Sequence, residues 1–246
     1  MVSGVSNWGK QMLEVRDIVA GYGEAVVVRG VSLEVPDGRL VALLGANGVG
    51  KTTLLRTIAG VVKARTGTVV FRNEDITALP LHQRARRGLC HIADGRAIFP
   101  SLTVRENLYL HAEKGNEAEA VEKAAAAFPV LGMRLQQVAG TLSGGEQQML
   151  ALVRAYVREV KLVLVDEASM GLAPLVVDRI YEFLMQLVAE GTSILLVEQY
   201  VTRALEIADT AYILNKGTMV YHGPASDLVG EDIFSRYLGI EIAAGA

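Results

Sequence analysis

The sequence predicts an α/β fold whose core is interrupted near its middle by a helical insertion. Three observations carry that expectation. Short apolar segments of strand character at 40–44, 162–165 and 193–197 are each followed or separated by helical patterns. Near-continuous apolar runs of that length are what parallel strands covered on both faces require. From about 81 to 155 the character changes to helix.

Taken in order, residues 13–18 and 26–35 read as strands, and Pro36-Asp37-Gly38 supplies the turn that closes the second. The run 40–44 is a buried central strand, 52–59 a helix and 68–71 a further strand. The helical stretch contains 81–87, 104–111 and the alanine-rich 117–128. Strand character returns at 162–165 and 193–197, with a helix near 176–189 between them. Residues 212–214 and 219–221 flank Asn215-Lys216-Gly217, a hairpin signal. No internal repeat or heptad pattern is visible.

The 246 residues suffice for one large domain or two tightly joined subdomains with a substantial core. Apolar residues make up 51% of the chain and the mean hydropathy is +0.31. Yet each apolar run is soon closed by glycine or charge, well short of the roughly 18 residues that a membrane span needs. The excess is read as buried Val/Leu-rich strands plus one greasy contact surface. A net charge of −3 and a pI near 5.9 offer no basic field for nucleic acid, so none is expected as a partner. The single cysteine, Cys90, excludes an internal disulfide and fits a reducing compartment. Residues 1–11 carry one lysine and no apolar segment, so they are expected to be a disordered leader and not a secretory signal. A cytoplasmic protein that meets a membrane only through partners is the expectation.

Gly45-Ala46-Asn47-Gly48-Val49-Gly50-Lys51-Thr52 fits G-x-x-x-x-G-K-[ST] directly after a buried strand and before a helix. Glycines let successive backbone N–H groups curl around a polyphosphate, and the helix N-terminus adds partial positive charge. The candidate nucleotide contacts are Gly45, Asn47, Gly48, Val49, Gly50, Lys51, Thr52 and the adjacent Thr53. Lys51 supplies a mobile cation to the β- and γ-phosphates, and the Thr52 hydroxyl suits Mg²⁺. The strand 162–165 delivers Asp166-Glu167 to the rim where open α/β sheets bind ligands. Asp166 suits the Mg²⁺ shell, and Glu167 can orient or deprotonate an attacking water. Further on, Leu142-Ser143-Gly144-Gly145-Glu146-Gln147-Gln148 contains S-x-x-E, a helix-capping box. Capping alone does not call for two glycines at a helix start, where glycine is disfavoured. Ser143, Gly144 and Gly145 therefore also read as a second anion-facing nest.

Together these motifs closely resemble those of the ABC transporter ATPases. The resemblance covers about 13–238, nearly the whole chain. It implies a P-loop NTPase core with an antiparallel β subdomain and a helical subdomain of about 95–158, inside a domain of 12–240 followed by a tail, 241–246. It implies ATP and Mg²⁺ as ligands. Ser143, Gly144 and Gly145 would reach the γ-phosphate held by a second subunit, in a homodimer or a heterodimer with a sister ATPase. Cytoplasmic loops of membrane permease subunits would be direct partners and a substrate-binding protein an indirect one. The expected location is peripheral, on the inner face of the cell membrane. Tyr22 stands where the family stacks an aromatic on adenine; packing locally at a strand edge is the other reading. The apolar segment 97–102, with Phe99 and Leu102, lies where the family receives a permease helix, or else simply packs the helical subdomain.

Several positions depart from the commonest pattern. Asp94 replaces the Q-loop glutamine, Gln199 the switch histidine, Ala173 the D-loop aspartate and Ala168 the proline after the catalytic glutamate. The set resembles the LivF-type ATPases of branched-chain amino-acid importers, which read V-E-Q at the switch and S-L-G-L-A-P at the D-loop. Gln199 can donate its amide to a phosphate oxygen and accept from the attacking water. Asp94 can ligate Mg²⁺ or its waters, or lie in a surface loop. The resemblance implies ATP-driven import of branched-chain or other hydrophobic amino acids. Two alternatives are a catalytically degenerate regulatory subunit paired with an active sister, and a soluble ABC ATPase outside transport.

Overall fold

A computed structural model describes residues 10–93, 98–158, 160–198 and 201–229. Two sheets organise them. The first is antiparallel, in the order β2 (Ala25–Pro36), β1 (Gln11–Tyr22), β4 (Thr66–Phe71), β5 (Glu74–Asp75). The second runs β10 (Thr218–Pro224), β9 (Thr210–Asn215), β3 (Leu40–Leu44), β8 (Ser193–Val197), β7 (Leu162–Asp166), β6 (Leu89–Ile92). Within it only β10 is antiparallel to its neighbour.

Side-chain alternation along the central strands builds two cores from one sheet. Val41 and Leu43 of β3, Leu162 and Leu164 of β7, and Leu195 and Val197 of β8 face the antiparallel sheet. Helix α1 (Lys51–Ala59) packs in that layer through Leu54, Leu55 and Ile58. Leu40, Ala42, Leu44, Val163, Val165, Ile194 and Leu196 face the other way. There they meet α6 (Gly144–Val157), α7 (Pro174–Ala189) and α8 (Val201–Ile207). Because both faces are covered, every residue of β3, β7 and β8 is buried.

Between β6 and β7 the chain forms α3 (Val104–Tyr109), α4 (Glu117–Ala127) and α5 (Pro129–Met133) before α6. Two structural findings correct the sequence reading. Within the stretch of helical character from 81 to 155 the sequence reading missed a strand: after α2 (Leu81–Arg86), residues Leu89–Ile92 form β6, paired with Leu162–Val165. Four residues are too few to display a period, and the partner lies far along the chain. Gln11, expected to lie in the leader, belongs to β1 and pairs with Pro36. No helix among the described residues is long and apolar enough to cross a membrane.

The helix after the phosphate loop is anchored at its far end. Buried Arg84 donates to the carbonyls of Thr57 and Ile58 at 2.9 and 2.7 Å, and to those of Leu79 and Thr77, each at 2.8 Å. A cation on the last carbonyls of α1 complements the helix dipole. Burial brings its guanidinium down to about 10, where it still carries its charge at neutral pH. With its C-terminus held this way, α1 points its N-terminus at the phosphate loop.

Candidate functional site

The loop between β3 and α1 needs its glycines. Gly45, Gly48 and Gly50 have φ of 153°, 79° and 113°, in the region that side chains disfavour. At Gly45 a Cβ would also come within 2.4 Å of the Leu214 carbonyl oxygen. Gly50, left-handed at the N-cap, turns the chain into α1, whose first residue is Lys51.

Lys51 is 4% exposed, and its Nζ donates to the carbonyls of Gly45 and Ala46 at 2.8 and 3.1 Å. The ammonium lies 3.8 Å from Glu167 Oε1. Burial pulls its pKa below the usual lysine value, while Glu167, Asp166 and Glu198 push it back up. The cation is therefore held inside the loop by carbonyls and a carboxylate, close to where a polyphosphate would meet the backbone amides.

Thr52 Oγ1 donates to Asp166 Oδ1 at 3.2 Å, joining residues 114 positions apart. Strand β7 makes this meeting: its apolar residues bury it between β6 and β8, and its last residue, Asp166, is 1% exposed. Glu167 follows with φ of 50°, unusual for a side-chain-bearing residue, and its N–H donates to the Val197 carbonyl at 2.9 Å. Lys51, Thr52, Asp166 and Glu167 thus form one cluster. A hydroxyl and a buried carboxylate aimed at each other are the hard-oxygen pair that suits Mg²⁺. That ion is typically bound by one or two carboxylates together with phosphate oxygens and water. Among the described residues there is no group of three or more His, Cys, Asp or Glu side chains placed to hold a metal ion.

Tyr22 ends β1 with a half-exposed ring, its hydroxyl 3.4 Å from Arg56 Nη1 on α1. It therefore lies beside the helix that starts with Lys51. Ser143 caps α6: its N–H donates to Glu146 Oε2 at 2.9 Å, and its Oγ accepts from Glu146 N at 3.4 Å. Ser143 itself is exposed. Gly145 is buried, and a Cβ there would come 2.6 Å from Val176 Cγ1. Its lack of a side chain is thus demanded by the close approach of α7 as well as by any anion nest. Among the described residues, no hydrogen bond links Ser143, Gly144 or Gly145 to the phosphate loop of the same chain. Phe99 is exposed, and its backbone is pinned by buried Asn107, which accepts from Phe99 N at 2.8 Å and donates to Phe99 O at 3.0 Å. Asp94 and Gln199 lie outside the described residues.

One participant escaped the sequence reading. Glu198, 1% exposed, accepts from Ser169 N at 3.2 Å and from Ser169 Oγ at 2.6 Å. The available signal was a carboxylate immediately after an apolar strand, the same arrangement that singled out Asp166.

A phosphate loop opening a helix, with carboxylates delivered by parallel strands of the same sheet, defines a P-loop nucleoside triphosphate hydrolase. Residues 28–170 match the ABC transporter family. The chain is 40% identical over 232 residues to the high-affinity branched-chain amino acid transport ATP-binding protein BraG of Pseudomonas aeruginosa, covering 93% of this chain and all of that one. It is 36% identical to the probable branched-chain amino acid transport ATP-binding protein LivF of Archaeoglobus fulgidus, covering 92% and 97% of the two chains. An ATP-binding cassette of an ABC transporter, solved in its ADP conformation, superposes with a TM-score of 0.80 at 27% identity, over 92% of this chain and 98% of that one. The chain belongs to the ATP-binding subunits of ABC transporters, and it is an ATPase.

Proposed function

We propose that this cassette binds ATP with Mg²⁺, closes on a second cassette, and by hydrolysis drives a membrane permease that imports branched-chain or other hydrophobic amino acids. The observation that carries the chemistry is the cluster of Lys51, Thr52, Asp166 and Glu167, held by contacts of 3.2 and 3.8 Å. Thr52 and Asp166 would hold the metal ion, which would supply positive charge against the phosphates. Lys51 donates to those oxygens and keeps the terminal phosphate oriented. The Glu167 carboxylate orients a water and accepts its proton as the water oxygen attacks phosphorus. The bond to the β-phosphate oxygen breaks, giving ADP and inorganic phosphate. Gln199 is assigned to the γ-phosphate and the attacking water, and Asp94 to the metal shell. Tyr22 is assigned to the adenine ring.

The signature residues Ser143, Gly144 and Gly145 are assigned to the nucleotide of the opposite cassette. Two features support that reading. They make no hydrogen bond to their own phosphate loop, and Met170 and Leu175, near the second carboxylate, leave 54% and 67% of their surface exposed. Exposed apolar side chains beside a reactive site are consistent with a partner surface. The amino-acid assignment rests on the full-length likeness to BraG and LivF.

The deciding experiment uses Glu167→Gln. ATP affinity measured by calorimetry stays within about twofold of wild type, while turnover falls by about 100-fold or more. With ATP and Mg²⁺ the variant doubles its mass in light scattering, alone or with its sister cassette. Unchanged turnover would remove Glu167 from the chemistry, and a persistent monomer with the sister present would remove the sandwich. Uptake of labelled leucine in cells lacking the chain tests the import reading separately, and normal uptake of every hydrophobic amino acid would reject it.

A further inference from the structure

The backbone that follows Glu167 is tied to the end of β8 by three hydrogen bonds. Glu167 N donates to Val197 O at 2.9 Å. Two positions later, Ser169 presents both its N–H and its hydroxyl to the Glu198 carboxylate, at 3.2 and 2.6 Å. Both residues are sealed from solvent, Glu198 at 1% and Ser169 at 0% exposure. A carboxylate is withdrawn from water at considerable cost unless its lone pairs are satisfied. Burial lowers the Lys51 pKa, and the charge of Glu198, with those of Glu167 and Asp166, raises it against that effect. The hydroxyl of Tyr181 on α7 is pushed up by burial and then by the charge of Glu198.

Glu167 sits inside this arrangement with φ of 50°. A residue with a side chain keeps a left-handed backbone only where its surroundings over-determine it. The bond at its own N–H and the pair at Ser169 act on either side of the Glu167–Ala168 peptide, alongside a turn in which Met170 N donates to Glu167 O at 3.4 Å. Ala168, 1% exposed, lacks the ring that would restrict its own φ, so the backbone depends on these bonds for its course.

The geometry points to Glu198, acting through Ser169, as a positioning residue for ATP hydrolysis: it holds the segment after β7 so that the Glu167 carboxylate meets the attacking water. This rests on the reading of Glu167 given above. Both oxygens of the Glu198 carboxylate accept from Ser169, so the residue is assigned to holding the backbone and not to the reacting atoms. A contact of this kind bears on the rate of the chemical step and not on how tightly ATP is held.

The test compares Glu198→Ala, Glu198→Gln and Ser169→Ala in the full chain, with and without Glu167→Gln. Turnover, KM for ATP, calorimetric ATP affinity and deuterium exchange over 167–172 in the absence of nucleotide are measured for each. Glu198→Ala lowers kcat by about 10- to 100-fold, while KM and ATP affinity stay within about twofold. Exchange over 167–172 becomes faster, and Glu198→Gln, which keeps one carbonyl acceptor, recovers part of both losses. In the Glu167→Gln background, measured by single turnover, Glu198→Ala causes no further fall, because its effect passes through Glu167. Full kcat in Glu198→Ala would overturn the inference. So would an undiminished loss in the Glu167→Gln background, or ATP binding weakened more than about fivefold, which would mean that Glu198 acts through Lys51. Should Glu198→Ala fail to fold, Ser169→Ala carries the same comparison with the carboxylate retained. Full turnover by Glu167→Gln alone would instead sink the reading of Glu167, and this inference with it.

Discussion

Lys51 shows how much one side chain can be asked to do. Its ammonium is buried among the Gly45 and Ala46 carbonyls and faces Glu167, Asp166 and Glu198. Removing it leaves a bound polyphosphate facing carboxylates with no mobile cation between them. Lys51→Ala should cost about 2–5 kcal/mol of ATP binding, or roughly 30-fold or more in Kd. Calorimetric titration reads this directly, and unchanged affinity would take Lys51 out of the site. Two histidines make a second argument at this scale. Burial, then the charges of Arg154 and Arg56, hold His91 down to about 4. Burial, then Arg154 and Arg158, hold His111 down to about 4 as well. Unfolding returns both to the ordinary value of 6.5. Between pH 6.5 and 4 the unfolded chain therefore binds protons that the folded chain refuses, and stability falls as pH drops through that window. Each histidine contributes at most roughly 3 kcal/mol to that fall. The urea midpoint should decline from pH 7 to pH 5, and His91→Gln should flatten part of the slope. A midpoint indifferent to pH over that range would contradict the placement of both rings.

Among elements, α6 is where a local signal and a tertiary one coincide. The Ser143–Glu146 capping box explains why a helix starts there. It does not explain Gly145, which the approach of Val176 requires. Gly145→Ala gains helix propensity but forces a methyl group against a short, branched side chain. The expected net loss is about 1–2 kcal/mol in urea unfolding, recovered when Val176→Ala is added. If Gly145→Ala is as stable as wild type, the α6–α7 contact is looser than described. Helix α6 also reaches the edge strand β6, where Arg154 donates to the His91 carbonyl. Strand β6 was hidden in the sequence because Leu89–Ile92 is four residues long and its register is set by β7. The Glu198–Ser169 link was hidden for a related reason: its partners lie 29 residues apart, at the ends of two adjacent parallel strands.

For the whole molecule, the cassette carries a phosphate loop and a Ser143–Gly145 segment that, among the described residues, share no hydrogen bond within one chain. If the signature acts across a dimer, two different inactive variants should rescue each other. Lys51→Ala spoils one half of a composite site, and Ser143→Arg spoils the other. Mixed, they form a dimer with one site built entirely from intact halves, and ATPase activity reappears. Either variant alone stays inactive. Failure of the mixture, with mixed dimers demonstrated by mass spectrometry, would place both halves of a site in a single chain.

The class of chemistry was legible in short runs of residues. The phosphate loop, the Asp166-Glu167 pair and the signature are each contiguous, and their functions follow from backbone conformations and side chains only a few positions apart. The central strands were equally legible, because burial on both faces forces an unbroken apolar run. Only the tertiary structure decided what depends on distant partners: that Thr52 meets Asp166 across 114 residues, and that Leu89–Ile92 is a strand and not part of a helix. The same holds for the steric demand on Gly145 and for the carboxylate buried at Glu198. In each case the deciding energy is a contact or a hydrogen bond between segments that the sheet brings together, and no local pattern encodes it.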